Sequence, residues 1–320
     1  MDGNDMFITA DFIYWEASQD GLQFAQSTPI QVLNTGFAPT SGTGAVYEIG
    51  EKWAPGFKVG LGTDLDHDGW DLYAEYTWYK ANQTRSTPVF TGSFAVPVAS
   101  DNPLAINSPF SDVSPILSST ANWNLRLNVI DLEMGRNMYL SPRLTFRPEF
   151  GVKGTWLKQN FNASEETFAT SITNNGITTT YGHFFNSTTN TMKNWGVGLR
   201  GGFDTAWHFC REFSLVGKLA FTGLWETFKV TRVDSGTAAG TTTTLTNING
   251  AHTYHHLRPV VEWMLGFRYE MWTCGDDFHF AFDAGWEAQQ WFGQNEFFIS
   301  QTNGNDLGFQ GLNVRVRFDF

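Results

Sequence analysis

The last nine residues of the chain, 312–320, read LNVRVRFDF. Because successive side chains of a β-strand point to opposite faces, this run has one apolar and one polar face. The apolar face carries Leu312, Val314, Val316, Phe318 and Phe320, and the polar face carries Asn313, Arg315, Arg317 and Asp319. A chain that ends on such alternation, with an aromatic last residue, is typical of the closing strand of a bacterial outer-membrane β-barrel. The run therefore predicts a protein that crosses a membrane with strands.

The composition agrees with membrane-spanning strands and excludes membrane-spanning helices. Hydrophobic residues make up 41% of the chain, yet no run reaches the roughly twenty apolar residues that a spanning helix needs. A barrel strand needs only every second residue to be apolar, because the alternate residues face a polar interior. A half-apolar chain is what such a wall requires.

The tryptophans predict an aromatic girdle, because Trp and Tyr are favoured where hydrocarbon meets lipid headgroups. The chain contains 13 of them, and those near the ends of predicted strands are Trp15, Trp53, Trp78, Trp123, Trp156, Trp195, Trp225 and Trp291. The alternative, an aromatic core of a soluble β-sandwich, is disfavoured because sandwiches rarely contain so many tryptophans.

No linker rich in Pro, Gly and Ser divides residues 1–320, so we expect a single outer-membrane barrel domain. The chain starts MDGNDMFITADF, without the basic and apolar regions of a signal peptide. For an integral protein of the bacterial outer membrane, this start predicts that a leader has been removed.

Ten runs show strand alternation, and short and long connections alternate between them. The runs are 6–16, 54–63, 70–81, 122–138, 143–159, 193–208, 212–231, 254–272, 277–292 and 308–320. Outer-membrane barrels have short periplasmic turns and longer outer loops, and an even strand count puts both termini on the short-turn side. The sequence therefore predicts an all-β, antiparallel, up-and-down transmembrane barrel of about ten strands, with short periplasmic turns and long extracellular loops.

Two features leave the strand count open. Residues 21–33, 89–98 or 177–185 can add a hairpin, which would raise the count to twelve. The Thr-rich stretches 177–191 and 236–250 lack charge and alternation, and we interpret them as solvated loop tips.

Charged residues of the predicted strands are assigned to the inward face, because a Lys or Arg at the lipid midplane costs about 2 to 4 kcal/mol. The predicted lumen-lining residues are the basic Lys58, Arg126, Arg143, Arg147, Lys153, Arg200, Lys218, Arg268, Arg315 and Arg317 and the acidic Asp71, Glu75, Asp131, Glu133, Glu149, Asp204, Glu226, Glu262, Glu270, Asp283, Glu287 and Asp319. One strand breaks the pattern, because Leu125, Leu127 and Val129 share the face of Asp131 and Glu133. We therefore predict a β-bulge near Val129 and Ile130.

The inward set is nearly balanced, so most of the net charge of −12 falls on loops, turns and termini. Such an acidic surface excludes nucleic acid as a partner and predicts repulsion of anions at the mouths of the barrel. A ten-stranded barrel lies close to the size at which side chains fill the lumen. We therefore expect a thin or gated water path and a small conductance.

Two clusters contain residue types that bind metals, and the first lies within residues 64–75. Residues 64–75 match a calcium-loop pattern through Asp64, Asp66, Asp68 and Glu75, but the motif needs helical flanks and here a strand carries Glu75 away from the turn. We interpret residues 64–69 as a tight turn in which Asp68 and Gly69 adopt positive φ, with a peripheral cation on the three aspartates as the weaker alternative.

Histidine and cysteine supply the remaining candidates. His252, His255 and His256 cluster at a strand end, where adjacent side chains face opposite ways, so metal binding is the weaker reading. Cys210 and Cys274 lie in predicted turns that flank neighbouring strands, and they can form a disulfide in the oxidising periplasm. Intermolecular crosslinking and free thiols remain the alternatives.

Several segments together resemble the pore-forming family typified by the Legionella major outer membrane protein, with porin-like relatives in environmental chlamydiae. The matching segments are WAPGFKVGLG (53–62), DGWDLYAEYTW (68–78), LRLNVIDLEMGR (125–136), LTFRPEFGVKGTW (144–156), NWGVGLRGGFDTAW (194–207), RPVVEW (258–263), AGWEAQQWF (284–292) and LGFQGLNVRVRFDF (307–320). The resemblance implies an abundant surface barrel that conducts small solutes and contributes to surface interactions.

Three functions follow as hypotheses. The first is a porin-like pore for small hydrophilic solutes or ions, and the second is a structural or adhesive surface protein with a largely plugged barrel. The third, an enzyme, would need a rim histidine with a serine or carboxylate partner. His183, His252, His255 and His256 lie near the rim, but no partner stands out, so we expect no enzyme and no cofactor.

The predicted partners follow from the barrel. They are outer-membrane lipid or lipopolysaccharide, the barrel assembly machinery acting on the C-terminal strand, small solutes and, as an option, further copies of the chain.

Overall fold

Ten long antiparallel strands form the wall of the protein. In the computed structural model, the described residues are 6–28, 30–33, 36–39, 45–50, 52–65, 68–89, 94–96, 116–167, 170–174, 177–181, 184–238, 244–273, 278–297 and 306–320. The wall strands are β1 (Met6–Gln19), β2 (Lys52–Leu65), β3 (Trp70–Ser86), β4 (Ile116–Arg136), β5 (Leu144–Thr167), β6 (Phe184–His208), β7 (Phe213–Ala238), β8 (Thr244–Thr273), β9 (Phe278–Trp291) and β10 (Leu307–Asp319).

Each wall strand pairs with the next one along the chain, and β10 pairs with β1, so the sheet closes on itself. The predicted ten-stranded, up-and-down barrel is confirmed. The alternative of twelve strands is wrong, because the additional short strands lie outside the closed ring among the described residues. These are Gln23–Thr28, Ile30–Leu33, Gly36–Pro39, Val46–Glu48, Phe94–Val96, Met138–Ser141, Thr170–Asn174 and Ile177–Tyr181.

The two ends of the barrel differ. The start of β1 and the end of β10 lie at one end of the barrel, together with the strand ends that border residues 66–69, 137–143, 209–212 and 274–277, and we call this end the turn side. The opposite strand ends border the longer connections, and we call that end the loop side. Asp68 and Gly69 have φ values of 57° and 70°, which confirms the predicted turn conformation. Among the described residues, no helix is long and apolar enough to cross a membrane.

The wall is taller on one flank. Strands β1, β2, β9 and β10 have 13 or 14 residues, whereas β4 to β8 have 21 to 30. A tilted strand crosses a bilayer with about 9 to 11 residues, so β4 to β8 extend beyond the membrane on the loop side.

Two Thr-rich segments contribute to this extension. Residues 184–191 belong to β6, 236–238 to β7 and 244–250 to β8, so the interpretation as loop tips is wrong for them. Residues 182–183 and 239–243 lie outside the described residues. Threonine favours strands, and polar cross-strand contacts such as Ser187 to Ser235, 2.8 Å between hydroxyl oxygens, hold this part of the wall.

Strand β4 shows how the inward and outward faces are filled. Its pairing with β3 and β5 continues without a shift through Val129 and Ile130. The predicted bulge is therefore wrong. Ile130 is exposed on the outward face, whereas Leu127 and Val129 are buried inside the barrel on the same face as Asp131.

The tryptophans divide between the two faces in the same way. Trp53, Trp78, Trp156, Trp195 and Trp225 lie on the outward face, where a girdle is expected. The girdle prediction is wrong for Trp15, Trp123 and Trp291, whose side chains are fully buried in the barrel interior.

Candidate functional site: the barrel interior

The turn-side half of the bore is filled by charged side chains, which we call the ionic layer. They are Asp11, Lys58, Asp71, Glu75, Asp131, Glu133, Arg147, Glu149, Lys153, Arg200, Asp204, Lys218, Glu262, Arg268, Glu270, His279, Asp283, Glu287, Arg315, Arg317 and Asp319. Strand alternation brings them together, because each occupies an inward position of its own strand.

Arg147 is the centre of one group in this layer. Its guanidinium contacts Asp71 (Nε to Oδ2, 2.7 Å), Glu149 (Nη1 to Oε2, 3.0 Å) and Asp204 (Nη1 to Oδ2, 3.1 Å). Gly135 makes room for this guanidinium, because a side chain at that position would overlap it. A planar fork of donors suits several carboxylates at once, which explains why arginine stands here.

Lys153 and Arg200 extend the group across the bore. The Lys153 ammonium lies 2.8 Å from Asp131 and 3.1 Å from Glu262, and its side chain is 1% exposed. Arg200 donates to Glu262 at 2.6 Å and to Glu149 at 3.0 Å. These contacts join β4, β5, β6 and β8, so they tie distant parts of the wall together.

A second group spans the opposite part of the wall. Lys58 of β2 donates to Glu287 of β9 at 2.7 Å, although β1 and β10 lie between these two strands. Arg315 of β10 binds Asp11 at 2.8 Å and also contacts Glu75 of β3. The bore is therefore narrow enough for opposite charges to pair directly.

The ionic layer leaves little free volume. Two cavities lie within it, of about 120 Å³ and about 60 Å³. A water molecule occupies roughly 30 Å³ of liquid, so these spaces hold a few waters rather than a wide column. Both are lined by charged residues, including Arg147 and Lys218 in the larger one and Lys153 and Glu287 in the smaller one.

Above the ionic layer, toward the loop side, the bore is filled by an apolar layer. Its members are Ile13, Trp15, Ala17, Leu22, Phe24, Ala25, Tyr79, Ala81, Ala121, Trp123, Leu125, Leu127, Val129, Leu157, Phe161, Met192, Leu224, Phe228, Val230, Val260, Trp291, Phe297, Leu307 and Phe309, with Ala54 packed against them. Every wall strand contributes at least one of these side chains. The layer therefore crosses the whole bore.

Aromatic rings form the middle of the apolar layer. The Phe309 ring centroid lies 5.9 Å from that of Trp15, 5.7 Å from that of Tyr79 and 6.3 Å from that of Trp291. These separations and the tilted or edge-on orientations are those that aromatic pairs prefer. Such packing has the character of a protein core rather than of a water-filled channel.

One set of buried polar groups in the apolar layer is hydrogen-bonded across the bore, whereas the Trp15 indole nitrogen has no hydrogen-bond partner among the described residues. Trp123 donates from Nε1 to Gln159 at 2.9 Å, and Gln159 donates to Gln19 at 3.1 Å. This chain of bonds links β4, β5 and β1. Since an unpaired buried polar group is costly, these glutamines fix the packing around Trp123.

A segment after β9 folds into the loop-side end of the bore. Gln294 is fully buried, donates to Glu226 at 2.6 Å and accepts from Asn194 at 2.9 Å. Asn295 donates to the Asp20 carbonyl oxygen at 2.8 Å, and Phe297 packs into the apolar layer. The beginning of this loop therefore belongs to the filling of the barrel.

The structure places most of the predicted lumen-lining residues on the inward face. These are Lys58, Asp71, Glu75, Asp131, Glu133, Arg147, Glu149, Lys153, Arg200, Asp204, Glu226, Lys218, Glu262, Arg268, Glu270, Asp283, Glu287, Arg315, Arg317 and Asp319.

Two residues are misplaced by the prediction and one is missing from it. Arg126 is exposed on the outward face of β4, because its face is set by the unbroken register of that strand. Arg143 is exposed in the turn before β5 rather than in the bore. Asp11 was not predicted, although Thr9 and Asp11 share one face of β1 and both are buried inside.

The weaker candidates have separate positions. Glu75 accepts a hydrogen bond from Tyr73 at 2.8 Å inside the bore, so it cannot complete a calcium loop with Asp64 and Asp68. Asp66 lies outside the described residues. In the part of the chain that is described, no group of three or more His, Cys, Asp or Glu side chains is placed to hold a metal ion.

The described rim histidines lie on both faces of β8, and His256 Nε2 lies 3.8 Å from Glu296 Oε1. His252 and His256 lie on either side of the Tyr254 ring, with centroids 4.4 Å and 6.1 Å from it. His255 faces outward, with Nδ1 3.1 Å from the Thr227 hydroxyl. His183 lies outside the described residues, as does Cys274, while Cys210 is exposed in the turn after β6.

A family model described as the Legionella pneumophila major outer membrane protein precursor matches residues 3–320. The chain belongs to this family. The resemblance drawn from the strand segments is therefore confirmed, and the family places the chain in the bacterial outer membrane. No curated protein sequence matches it significantly.

Solved structures that resemble this family member are distant. The outer membrane protease OmpT from Escherichia coli is 11% identical, with 99% of this chain and 96% of that chain covered at a TM-score of 0.38. A major outer membrane protein from Thermus thermophilus is 11% identical, with 97% and 99% covered at 0.35. A FadL homologue from Pseudomonas aeruginosa is 8% identical, with 100% and 90% covered at 0.28.

Proposed function

We propose that this chain is a structural barrel of the outer membrane surface whose resting bore is closed to solutes. The observation that carries the proposal is the apolar layer, in which side chains from every wall strand pack across the bore. Trp15, Trp123 and Trp291 are each 0% exposed there. A solute would have to displace this packing before it reached the ionic layer.

The outer extension of β4 to β8 supports a role at the cell surface. These strands carry polar Thr, Ser and Asn side chains well beyond the length that spans a bilayer, and the long connections begin from them. Exposed loops on a rigid scaffold are where binding functions concentrate. An adhesive or protective surface is thus the role that this architecture serves.

The ionic layer favours a second function, the porin-like pore that the sequence predicts. Its two cavities are charged and lie in line with the bore, so they would form the polar part of a path for ions or small hydrophilic solutes. Conduction then requires the apolar layer to open. We infer a narrow, gated pore under this alternative.

Planar-bilayer recording of the full chain separates the two functions. We expect wild-type protein to show no steady conductance, and Trp15→Ala/Trp123→Ala to introduce one by emptying the middle of the bore. Trp156→Ala, an outward tryptophan, serves as the matched control and should leave the record unchanged. Steady conductance by the wild-type protein, together with passage of small solutes in liposome-swelling assays, would contradict the closed barrel and support the pore.

A further inference from the structure

Five neighbouring strands each carry a basic residue on the outward face, and these residues lie directly opposite one another. The register pairs Lys80 with Arg126, Arg126 with Lys158, Lys158 with Lys193, and Lys193 with Lys229. All five side chains are exposed. We call this set the basic row.

The positive charges of the basic row repel one another and are not neutralised by described carboxylates. Side chains that face each other across two strands have Cβ atoms about 5 Å apart, and like charges at that distance are destabilising. No carboxylate of the described residues forms an ion pair with any of the five. An anion from outside the chain would relieve the repulsion.

The row lies at the boundary of the lipid-facing surface. Trp78, Trp156 and Trp195 occupy the next outward positions toward the turn side from Lys80, Lys158 and Lys193. Interfacial tryptophans mark the level where hydrocarbon gives way to headgroups. Each basic side chain of these three strands is therefore at the headgroup level of the loop-side leaflet.

A groove runs along the same surface. It has a volume of about 420 Å³, and its lining includes Arg126, Lys158, Lys193, Lys229, Trp156 and Trp195. Exposed aliphatic side chains, among them Ile130, Val152, Val197 and Leu199, continue from it toward the turn side. The groove thus combines cations at one end with an apolar surface at the other.

Among the described residues, outward positive charge at this level is confined to one flank of the barrel. On the far flank, outward positions near the loop side carry Glu16 and Gln310, which hydrogen-bond to each other at 3.3 Å, and the neutral Gln290. A general attraction to an anionic surface would not need cations in register on adjacent strands. The one-sided row is suited to a discrete ligand.

We propose that the basic row is a binding site for a phosphorylated lipid of the outer leaflet. Its phosphate groups contact the five cations, its acyl chains lie along the aliphatic wall, and its sugar or glycerol portion packs on the indoles. Lys and Arg donors form strong charge-assisted hydrogen bonds to phosphate. The proposal requires only that the barrel is membrane-embedded, so it holds whether or not the bore conducts.

The test uses the full chain in phosphatidylcholine nanodiscs doped with lipid A carrying two phosphates, with bound lipid quantified by native mass spectrometry. Arg126→Gln/Lys158→Gln/Lys193→Gln is compared with Lys52→Gln/Arg143→Gln/Arg211→Gln, which removes the same charge from exposed positions outside the row. We expect the first variant to lose about ten-fold or more in lipid A affinity, and the control to stay within about twofold of wild type. Arg126→Lys/Lys158→Arg/Lys193→Arg should retain binding.

Three outcomes overturn the proposal. The first is an equal loss in both glutamine variants, which would indicate non-specific charge attraction. The second is unchanged binding in the row variant that has folded, as judged by heat-modifiable mobility in electrophoresis. The third is equal binding of dephosphorylated lipid A, which would show that the phosphates do not contribute, or displacement of the lipid by inorganic phosphate. Displacement would assign the cations to a soluble anion instead.

Discussion

Lys153 and Glu262 form an ion pair across the bore, with 3.1 Å between Nζ and Oε1, although β6 and β7 separate their strands along the wall. The same ammonium lies 2.8 Å from Asp131 on the adjacent strand β4. A lysine side chain can make both contacts only where the bore is narrow. A barrel of ten strands is narrow enough for this contact. The pair therefore helps to close the lumen, at a position removed from solvent.

Lys153→Met should destabilise the barrel strongly. Removing one partner of a buried ion pair leaves uncompensated charge and typically costs about 3 to 5 kcal/mol. Among the described residues, the ion-pair partner left for the carboxylates of Asp131 and Glu262 would be Arg200. The free energy of unfolding can be measured by urea titration in lipid vesicles with tryptophan fluorescence as the signal.

Lys52→Met provides the control for that measurement, because Lys52 is also a strand lysine but is exposed at the loop-side end of β2. We expect its effect to stay within about 0.5 kcal/mol. Adding Asp131→Leu and Glu262→Leu to Lys153→Met should recover part of the loss, since apolar replacement of a whole buried ionic group is often neutral or better. Equal stability of Lys153→Met and wild type would contradict the buried pair.

The sequence predicts this fold only where one face of a strand is apolar and the other polar. Alternation predicts the strands and the inward charges, as for Arg315 and Arg317 in the terminal strand. It fails where both faces of a strand are apolar, because Leu127 facing the apolar layer and Ile130 facing lipid are indistinguishable in sequence. It also fails in the Thr-rich outer wall, where polar residues occupy successive positions and no apolar face marks a strand.

The register of β4 makes a second prediction. With the cysteines removed by Cys210→Ser/Cys274→Ser, spin labels at Val129→Cys and Ile130→Cys should report opposite environments. The label at 130 should be accessible to oxygen dissolved in the bilayer, because Ile130 is 46% exposed on the outward face, whereas Val129 is 3% exposed inside. A lipid-accessible label at 129 would restore the bulge that the sequence pattern predicts.

The third prediction concerns the two cysteines and follows from their positions in predicted turns. Cys210 is exposed after β6 and its thiol is free in the structure. Cys274 directly follows β8 in the sequence, and the neighbouring strand β7 begins at Phe213. We expect an intramolecular disulfide in protein isolated from the outer membrane, since the periplasm is oxidising. Mass mapping after non-reducing digestion should recover the linked peptides. Disulfide-linked dimers, or two alkylated thiols without reduction, would select the alternatives.

The last prediction concerns the loop segment that enters the bore after β9. Gln294→Ala removes the hydrogen bonds that Gln294 makes with Glu226 and Asn194, so the Glu226 carboxylate keeps only its contact with Asn194, at 3.1 Å, among the described residues. Leaving a buried acceptor underbonded costs about 1 to 3 kcal/mol, and the segment that it anchors should open more often. Hydrogen exchange of residues 293–297 should therefore accelerate, while Gln310→Ala, which changes an exposed outward glutamine, should not alter it. Unchanged exchange in Gln294→Ala would mean that Phe297 and the apolar layer hold the segment without help from the polar contacts.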